Sequence, residues 1–303
     1  MPTLSDDLRE ELAGIAPAKE ADRLAELSGL FHVAGRAHLR GRGSVDVHLD
    51  VSTSTVARRA FALLRESGVR SEIRTYPRRA FDQATRYQLH VEGSQDAYAT
   101  LHRAGVLDRS HRPLGRPPDR VVARRSSAAA YLRGALLGSG TLSGPRGPHL
   151  EIRTAESDGA RFLAAVAARL GAELHVQERS SHATAYAKGT EAIADVLVAA
   201  GAVDLVLALE EQAVLAATRA DANRLANADH ANLVRTGRAA HAQLEALHRL
   251  DVDALPDDLL EIALLRLRHP TASIAELARR CKPAISKAAA YRRLRRLQEL
   301  SRF

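Results

Sequence analysis

Apolar and polar positions along the chain follow two periods, and the order in which those periods appear occurs twice. Leu24, Leu27, Leu30 and Phe31 have helical spacing; past Gly41 and Gly43, the run Val45-Asp46-Val47-His48-Leu49-Asp50-Val51 alternates like a strand. A helix over 54–67 follows, with Val56, Ala60, Phe61 and Leu64 on one side and Gly68 as its stop. Alternation returns over 71–76 and 86–91, and a helix over 94–104 ends at Gly105. After a stretch rich in arginine and proline, the order repeats: a helix over 127–138, a strand over 149–153, and a helix over 157–170 closed by Gly171. Strands over 173–177 and 182–188 and a helix over 190–200, ended by Gly201, complete it. Order and glycine positions match together, Gly35, Gly68 and Gly105 answering Gly140, Gly171 and Gly201, which predicts an internal duplication.

The last third of the chain is helical throughout. Residues 210–250 are polar and alanine-rich, with Asn223-Arg224-Leu225-Ala226-Asn227-Ala228-Asp229-His230-Ala231-Asn232 in the middle. Asparagine competes for backbone hydrogen bonds and favours caps and turns. Two readings therefore stand: a break between two helices, or polar contact with nucleic acid through Asn223, Arg224, Asn227 and Asn232. Beyond it, Pro256-Asp257-Asp258 opens a helix whose acidic first turn suits its dipole, with Leu260, Ala263, Leu264 and Leu267 as its apolar stripe. His269-Pro270 ends it. A short helix over 274–280 runs into Lys282-Pro283-Ala284, and Ser286 is an N-cap for a third helix reaching about 300. This is a helix-turn-helix pattern. Ala290, Leu294 and Leu297 would face its core and leave Lys287, Tyr291, Arg292, Arg295 and Arg296 outward, as a basic recognition helix requires.

Charge sharpens that reading. The net charge is +8, and residues 279–303 hold nine Lys+Arg against Glu299 alone, leaving 35 of each sign elsewhere; the excess sits wholly at the C-terminus. The second copy adds Arg153, Arg179 and Lys188, and the connecting stretch adds Arg109, Arg112, Arg116, Arg120, Arg124 and Arg125. Alternation over 45–51 instead turns Asp46, His48 and Asp50 outward, a poor surface for phosphates. At 46% apolar content, 303 residues support more than one core. The single cysteine, Cys281, excludes an intramolecular disulfide and is expected as a buried turn residue. The first eleven residues are acidic and polar rather than a secretory signal. No P-loop, zinc cluster or catalytic triad appears, and His32 is expected on a helix surface or in the core rather than as a ligand. No cofactor or metal is expected.

The repeated opening helix carries the most informative residues. Tyr131-Leu132-Arg133-Gly134-Ala135-Leu136-Leu137-Gly138-Ser139-Gly140 and Leu27-Ser28-Gly29-Leu30-Phe31-His32-Val33-Ala34-Gly35 favour a helix and then undermine it, each interior glycine costing about 1 kcal/mol relative to alanine. Glycines four apart on one face admit a second backbone, so each helix is expected to be the other's partner. Arginines interrupt the apolar run short of the roughly 20 residues a bilayer needs. Residues 132–140, and 29–35 in the first copy, resemble the LAGLIDADG homing endonucleases. In that family the acidic residue before the last glycine holds the catalytic metal ions, and here those positions are Ala34 and Ser139, neither of which supplies an anionic oxygen. The resemblance implies a nuclease scaffold without its chemistry; an active endonuclease would have to recruit Asp46, Asp50 or Glu151.

Taken together, the repeats, the asparagine-rich helical segment and the C-terminal helices resemble the WhiA family of sporulation and cell-division regulators. Tyr131 to Ala135, Asn223-Arg224-Leu225…Asn227…Ala231-Asn232, Pro283…Ser286-Lys287 and Arg292-Arg293-Leu294-Arg295-Arg296 carry the likeness. It implies a cytoplasmic, nucleoid-associated regulator of cell division, sporulation or chromosome segregation genes that binds double-stranded DNA, with a partner regulator and RNA polymerase as further partners. A scaffold binding RNA or an acidic partner is the other class left open. The expected fold is α+β: a duplicated LAGLIDADG-like αββαββα domain followed by an all-α helix-turn-helix domain. The boundaries are an extension (1–20), first repeat (21–107), linker (108–126), second repeat (127–209), helical linker (210–252) and helix-turn-helix (253–303). The DNA-contacting residues are expected to be Ser286, Lys287, Tyr291, Arg292, Arg293, Arg295 and Arg296, with Asn223, Arg224, Asn227 and Asn232.

Overall fold

The computed structural model describes residues 3–40, 44–77, 85–143 and 147–302; Gly41 and Gly43 lie outside them. The chain forms two compact units, Met1–Ala216 and Ala217–Phe303. The first is built from two copies of one topology. Helix α1 (Leu4–Gly14) precedes copy one, which comprises α2 (Glu20–Ala34), β1 (Gly35–Arg40), β2 (Ser44–Val51), α3 (Ser54–Glu66), β3 (Ser71–Pro77), β4 (Thr85–Val91) and α4 (Gln95–Arg103). Copy two comprises α5 (Arg125–Ser139), β5 (Gly140–Ser143), β6 (His149–Thr154), α6 (Ser157–Leu170), β7 (His175–Glu178), β8 (Ala183–Lys188) and α7 (Thr190–Ala200). The antiparallel sheets have matching orders, β1-β2-β4-β3 and β5-β6-β8-β7.

The motif glycines account for this architecture. Helices α2 and α5 pack backbone to backbone: a Cβ on Gly29 would lie 2.1 Å from the Tyr131 carbonyl oxygen, and one on Gly134 2.1 Å from that of Glu26. The closing glycines act differently. Gly35 and Gly140 have extended backbone angles and turn each helix directly into a strand; a Cβ there would sit 2.3 Å from the Phe31 oxygen and 2.4 Å from the Leu136 oxygen. Strands β1 and β5 thus continue straight from the helices, and alternation alone did not reveal them.

Polar groups lock the same helix pair. Glu26 is fully buried, accepts from Arg59 Nε (2.7 Å) and Nη2 (3.2 Å) of its own repeat, and accepts from Arg133 Nε (2.9 Å) of the other. Asp22 accepts from Ser126 Oγ (3.0 Å) and Ser127 Oγ (2.6 Å) at the start of α5. Arg133, which from sequence only interrupts an apolar run, is therefore an interior ion-pair partner.

The N-terminal segment is part of this core. Leu8 and Leu12 of α1 are fully buried. Ser5 Oγ pairs with both the carbonyl (3.1 Å) and the N–H (2.8 Å) of Leu142 on edge strand β5, and Arg9 Nη2 donates to the Gly140 carbonyl at 2.7 Å. Glu11 accepts from the N–H groups of Asp204 and Leu205, both at 2.9 Å, and so caps the next helix, α8 (Val203–Leu247). α8 is one continuous helix of 45 residues, which overturns the expected break at the asparagines. Those asparagines are exposed among alanines that favour the helix, and Arg224–Asp221 and Arg235–Asn232 hydrogen bonds at i,i+3 spacing support it.

The second unit adds α9 (Asp257–Arg268), α10 (Ile274–Arg280) and α11 (Lys287–Leu300) around a small core of Leu247, Leu259, Ile262, Ala263, Leu277, Ala278, Cys281, Ala290, Leu294 and Leu297. The stripe of α9 differs from expectation. Leu259, Ile262, Ala263 and Arg266 face inward, while Leu264 is 47% exposed. Arg266 is tolerated inside because its Nη1 donates to the carbonyls of Ala272 (2.6 Å) and Pro270 (3.3 Å), pinning the connection to α10, and burial lowers its pKa.

Candidate nucleic-acid interface

The three C-terminal helices present one basic face. Ser273 caps α10, its Oγ accepting from Glu276 N–H at 3.2 Å, and Ser286 caps α11 by accepting from Ala289 N–H at 3.1 Å. Between them the Lys282–Pro283 peptide is cis, the Ile285 N–H donates to the Ala278 carbonyl at 3.0 Å, and the Lys282 N–H donates to Glu261 Oε1 at 2.6 Å. Cys281 is buried in this turn, as its position predicts; burial pushes its thiol pKa up, and Glu261 adds to the shift.

On α11, Ala290, Leu294 and Leu297 are buried, as the spacing predicts. The helix therefore turns Ser286, Lys287, Tyr291, Arg292, Arg295 and Arg296 to solvent, with Tyr291 53% exposed. Arg293 stands apart. Its side chain is 27% exposed and lies 3.8 Å from Asp258 of α9, so it braces the bundle. Arg295 Nε donates to Glu299 Oε1 at 3.1 Å on the same helix.

The asparagine-bearing stretch of α8 is exposed along its whole length, but its four expected DNA-binding residues do not share one face. Asn223 and Asn227 lie one turn apart on the same side. Asn232, nine residues beyond Asn223, falls roughly two and a half turns on, on the opposite side.

The two sheets and the motif ends complete the inventory. Asp46, His48 and Asp50 are only half-buried, whereas Val47, Leu49 and Val51 are buried, so the expected outward face is present. Asp50 accepts from Tyr76 (3.1 Å) and Gln88 (3.2 Å) and lies 3.5 Å from His48 Nε2 and 3.7 Å from Arg36 Nε. That face neutralises itself. On the second sheet Arg153, Arg179 and Lys188 are exposed, while Glu151 is hydrogen-bonded to His149 at 2.6 Å. Of the linker arginines, Arg120 donates to the carbonyls of His102 and Arg103, and Arg125 to that of Leu170, which ties both to the fold. At the motif ends, Ala34 has no donor atom and Ser139 Oγ donates to the Arg153 carbonyl at 2.8 Å. These side chains do not fit a magnesium ion, which requires anionic oxygens. Among the described residues no group of three or more His, Cys, Asp or Glu could hold a metal ion, and no helix is long and apolar enough to cross a membrane.

A duplicated LAGLIDADG-like α+β fold joined to a helical unit with a capped basic helix defines the class of protein. The chain belongs to the WhiA family: its N-terminal LAGLIDADG-like domain matches residues 20–107, its LAGLIDADG-like domain residues 128–219, and its C-terminal HTH domain residues 222–301. Among its relatives, proteins named "Probable cell division protein WhiA" from Heliobacterium modesticaldum and Frankia alni are 32% identical over 305 residues and 34% identical over 300. The alignments cover 99% of this chain and 96% of the former relative, and 97% and 91% for the latter. The crystal structure of full-length DUF199/WhiA from Thermatoga maritima is similar at a TM-score of 0.58 and 22% identity, covering 99% of this chain and 98% of that one. The N-terminal LAGLIDADG domain of DUF199/WhiA gives a TM-score of 0.52 at 17% identity, covering 66% of this chain and 91% of that one. Both structures share this fold.

Proposed function

We propose that the protein is a sequence-specific DNA-binding regulator of transcription, acting on cell-division or sporulation genes in the cytoplasm from a LAGLIDADG scaffold that does not cut DNA. The observation that carries the reading is α11: a Ser-capped helix whose buried Ala290, Leu294 and Leu297 leave Lys287, Tyr291, Arg292 and Arg296 exposed on one surface. A helix entering the major groove uses its N-terminal side chains near base edges and its later arginines near phosphates. Ser286, Lys287 and Tyr291 are placed for the first role, Arg292, Arg295 and Arg296 for the second. The relatives' name supports the choice of target genes, and Ala34 and Ser139 support a non-cutting scaffold. A partner regulator and RNA polymerase complete the proposal and are sought by co-purification.

The test is binding of the full-length protein to fragments of its own genome at near-physiological salt with Mg2+ present. Enrichment of a few intact promoter fragments is expected. Cleaved fragments would establish an endonuclease, and uniform weak binding would leave a non-specific scaffold. Arg292→Ala or Arg295→Ala is expected to weaken binding to the enriched fragments by about 1–3 kcal/mol. Unchanged affinity in both variants would remove α11 from the interface.

A further inference from the structure

Because α8 is unbroken, the position of every side chain around it follows from about 100° per residue, and its charges segregate. Arg219, Arg224, Arg235 and Arg238 all fall within one half of the helix, whereas Asp221 and Asp229 fall on the other. The arginine half also holds Asn223, Asn227, His230 and His241, separated mostly by alanine and glycine. From Gln212 to Leu244 it contains no carboxylate. Packing at the C-terminal end shows which way this half faces: Ala240, Gln243, Ala246 and Leu247 are buried, whereas His241 and Ala242 are exposed. The basic half is the solvent side of the second unit. At its lower end, His241 and Arg249 share a hollow with Gln298, Ser301 and Arg302, just past the end of α11.

We propose that this carboxylate-free half of α8, from Arg219 to His241, is a second DNA-binding surface that holds the phosphate backbone of double-stranded DNA beside the site addressed by α11. The inference rests on the DNA-binding reading above. Its dimensions suit the role, since 22 residues of helix span about 33 Å, close to the roughly 34 Å of one turn of duplex. Alanine and glycine between the polar residues let a backbone approach closely. Guanidinium groups supply forked donors for phosphate oxygens, and the two asparagine amides add neutral ones. Asn232, on the aspartate half, is outside this surface.

The test measures affinity of the full-length protein for a labelled random-sequence duplex between about 50 and 200 mM salt. Arg219→Gln/Arg238→Gln is compared with Leu225→Glu/Thr236→Glu, which changes net charge by the same amount on the opposite half. The arginine pair is expected to lower the slope of log affinity against log salt by about 0.9 for each phosphate no longer neutralised and to weaken binding about tenfold or more at physiological salt. The glutamate pair is expected to leave the slope unchanged, and Arg219→Lys/Arg238→Lys to restore it. An unchanged slope in the glutamine variant, or equal losses in both charge-matched variants, would overturn the inference. If α8 variants bind normally while Lys287→Ala/Arg292→Ala does not, this surface is refuted and the α11 reading stands. If the unmodified protein fails to bind duplex, both are refuted.

Discussion

Gly134 lets two helices meet where any larger residue would force them apart. A methyl group there would lie 2.1 Å from the Glu26 carbonyl oxygen and 3.0 Å from the Leu30 nitrogen, both backbone atoms that cannot step aside. Gly134→Ala is expected to destabilise the first unit by about 3 kcal/mol or more in denaturant unfolding, the upper end of overpacking. Gly147→Ala, whose added Cβ meets nothing within 4 Å, should fall within experimental error. His32 gives a pH signature nearby. Its Nδ1 lies 2.7 Å from the Ser28 carbonyl, and burial lowers its pKa to about 4, outweighing the Ser28 and Leu114 backbone groups that favour the protonated ring. The unfolded chain takes up a proton near the ordinary value of 6.5. Stability is therefore full above that pH and declines as pH falls toward 4, by up to about 3 kcal/mol. His32→Asn should flatten that decline in Tm measured from pH 7 to pH 4.5, and an equally steep decline would contradict this account.

At the scale of elements, α8 depends on propensity more than on packing. Residues 221–239 are exposed, so no tertiary packing hides a local change. Gly237→Ala, with open space around the added methyl, is expected to raise α8 helicity and stabilise the second unit by up to about 1 kcal/mol, read by circular dichroism melting. How much of the fold was legible in the sequence follows the same division. The helices of both repeats, the Ser286 cap and the inward Ala290, Leu294 and Leu297 were readable because local pattern and tertiary fate agree there. Three features were not. Strands β1 and β5 emerge from helices without a separating turn, and their existence depends on how Gly35 and Gly140 bend the chain. Arg266 looks like a surface residue and is interior only because three carbonyls converge on it. The asparagines of α8 read equally as a break or a binding surface, and only backbone continuity decided for the helix. Likewise, the proposed α8 surface was invisible as a unit, because the faces of a helix can be assigned only once its continuity is known.

For the whole molecule, the two units carry separate hydrophobic clusters, one running from Leu8 to Leu209 and the other from Leu247 to Leu297. Calorimetry of the full chain is expected to show two transitions. Leu294→Ala should lower only the transition of the second unit, and Leu132→Ala only that of the first, each by about 2–5 kcal/mol. A single transition shifted by both substitutions would refute this independence. The clusters also determine when each part can form during synthesis. α1 and α2 leave the ribosome first, yet Leu142, Asp204 and Leu205, which partner α1, and Arg133 and Ser127, which partner α2, come more than a hundred residues later. At roughly 5–20 residues per second, the first repeat waits several seconds with Gly29 bare and Glu26 served only by Arg59. The nascent first half is thus an open client that the cell's chaperones must shelter until its own sequel arrives.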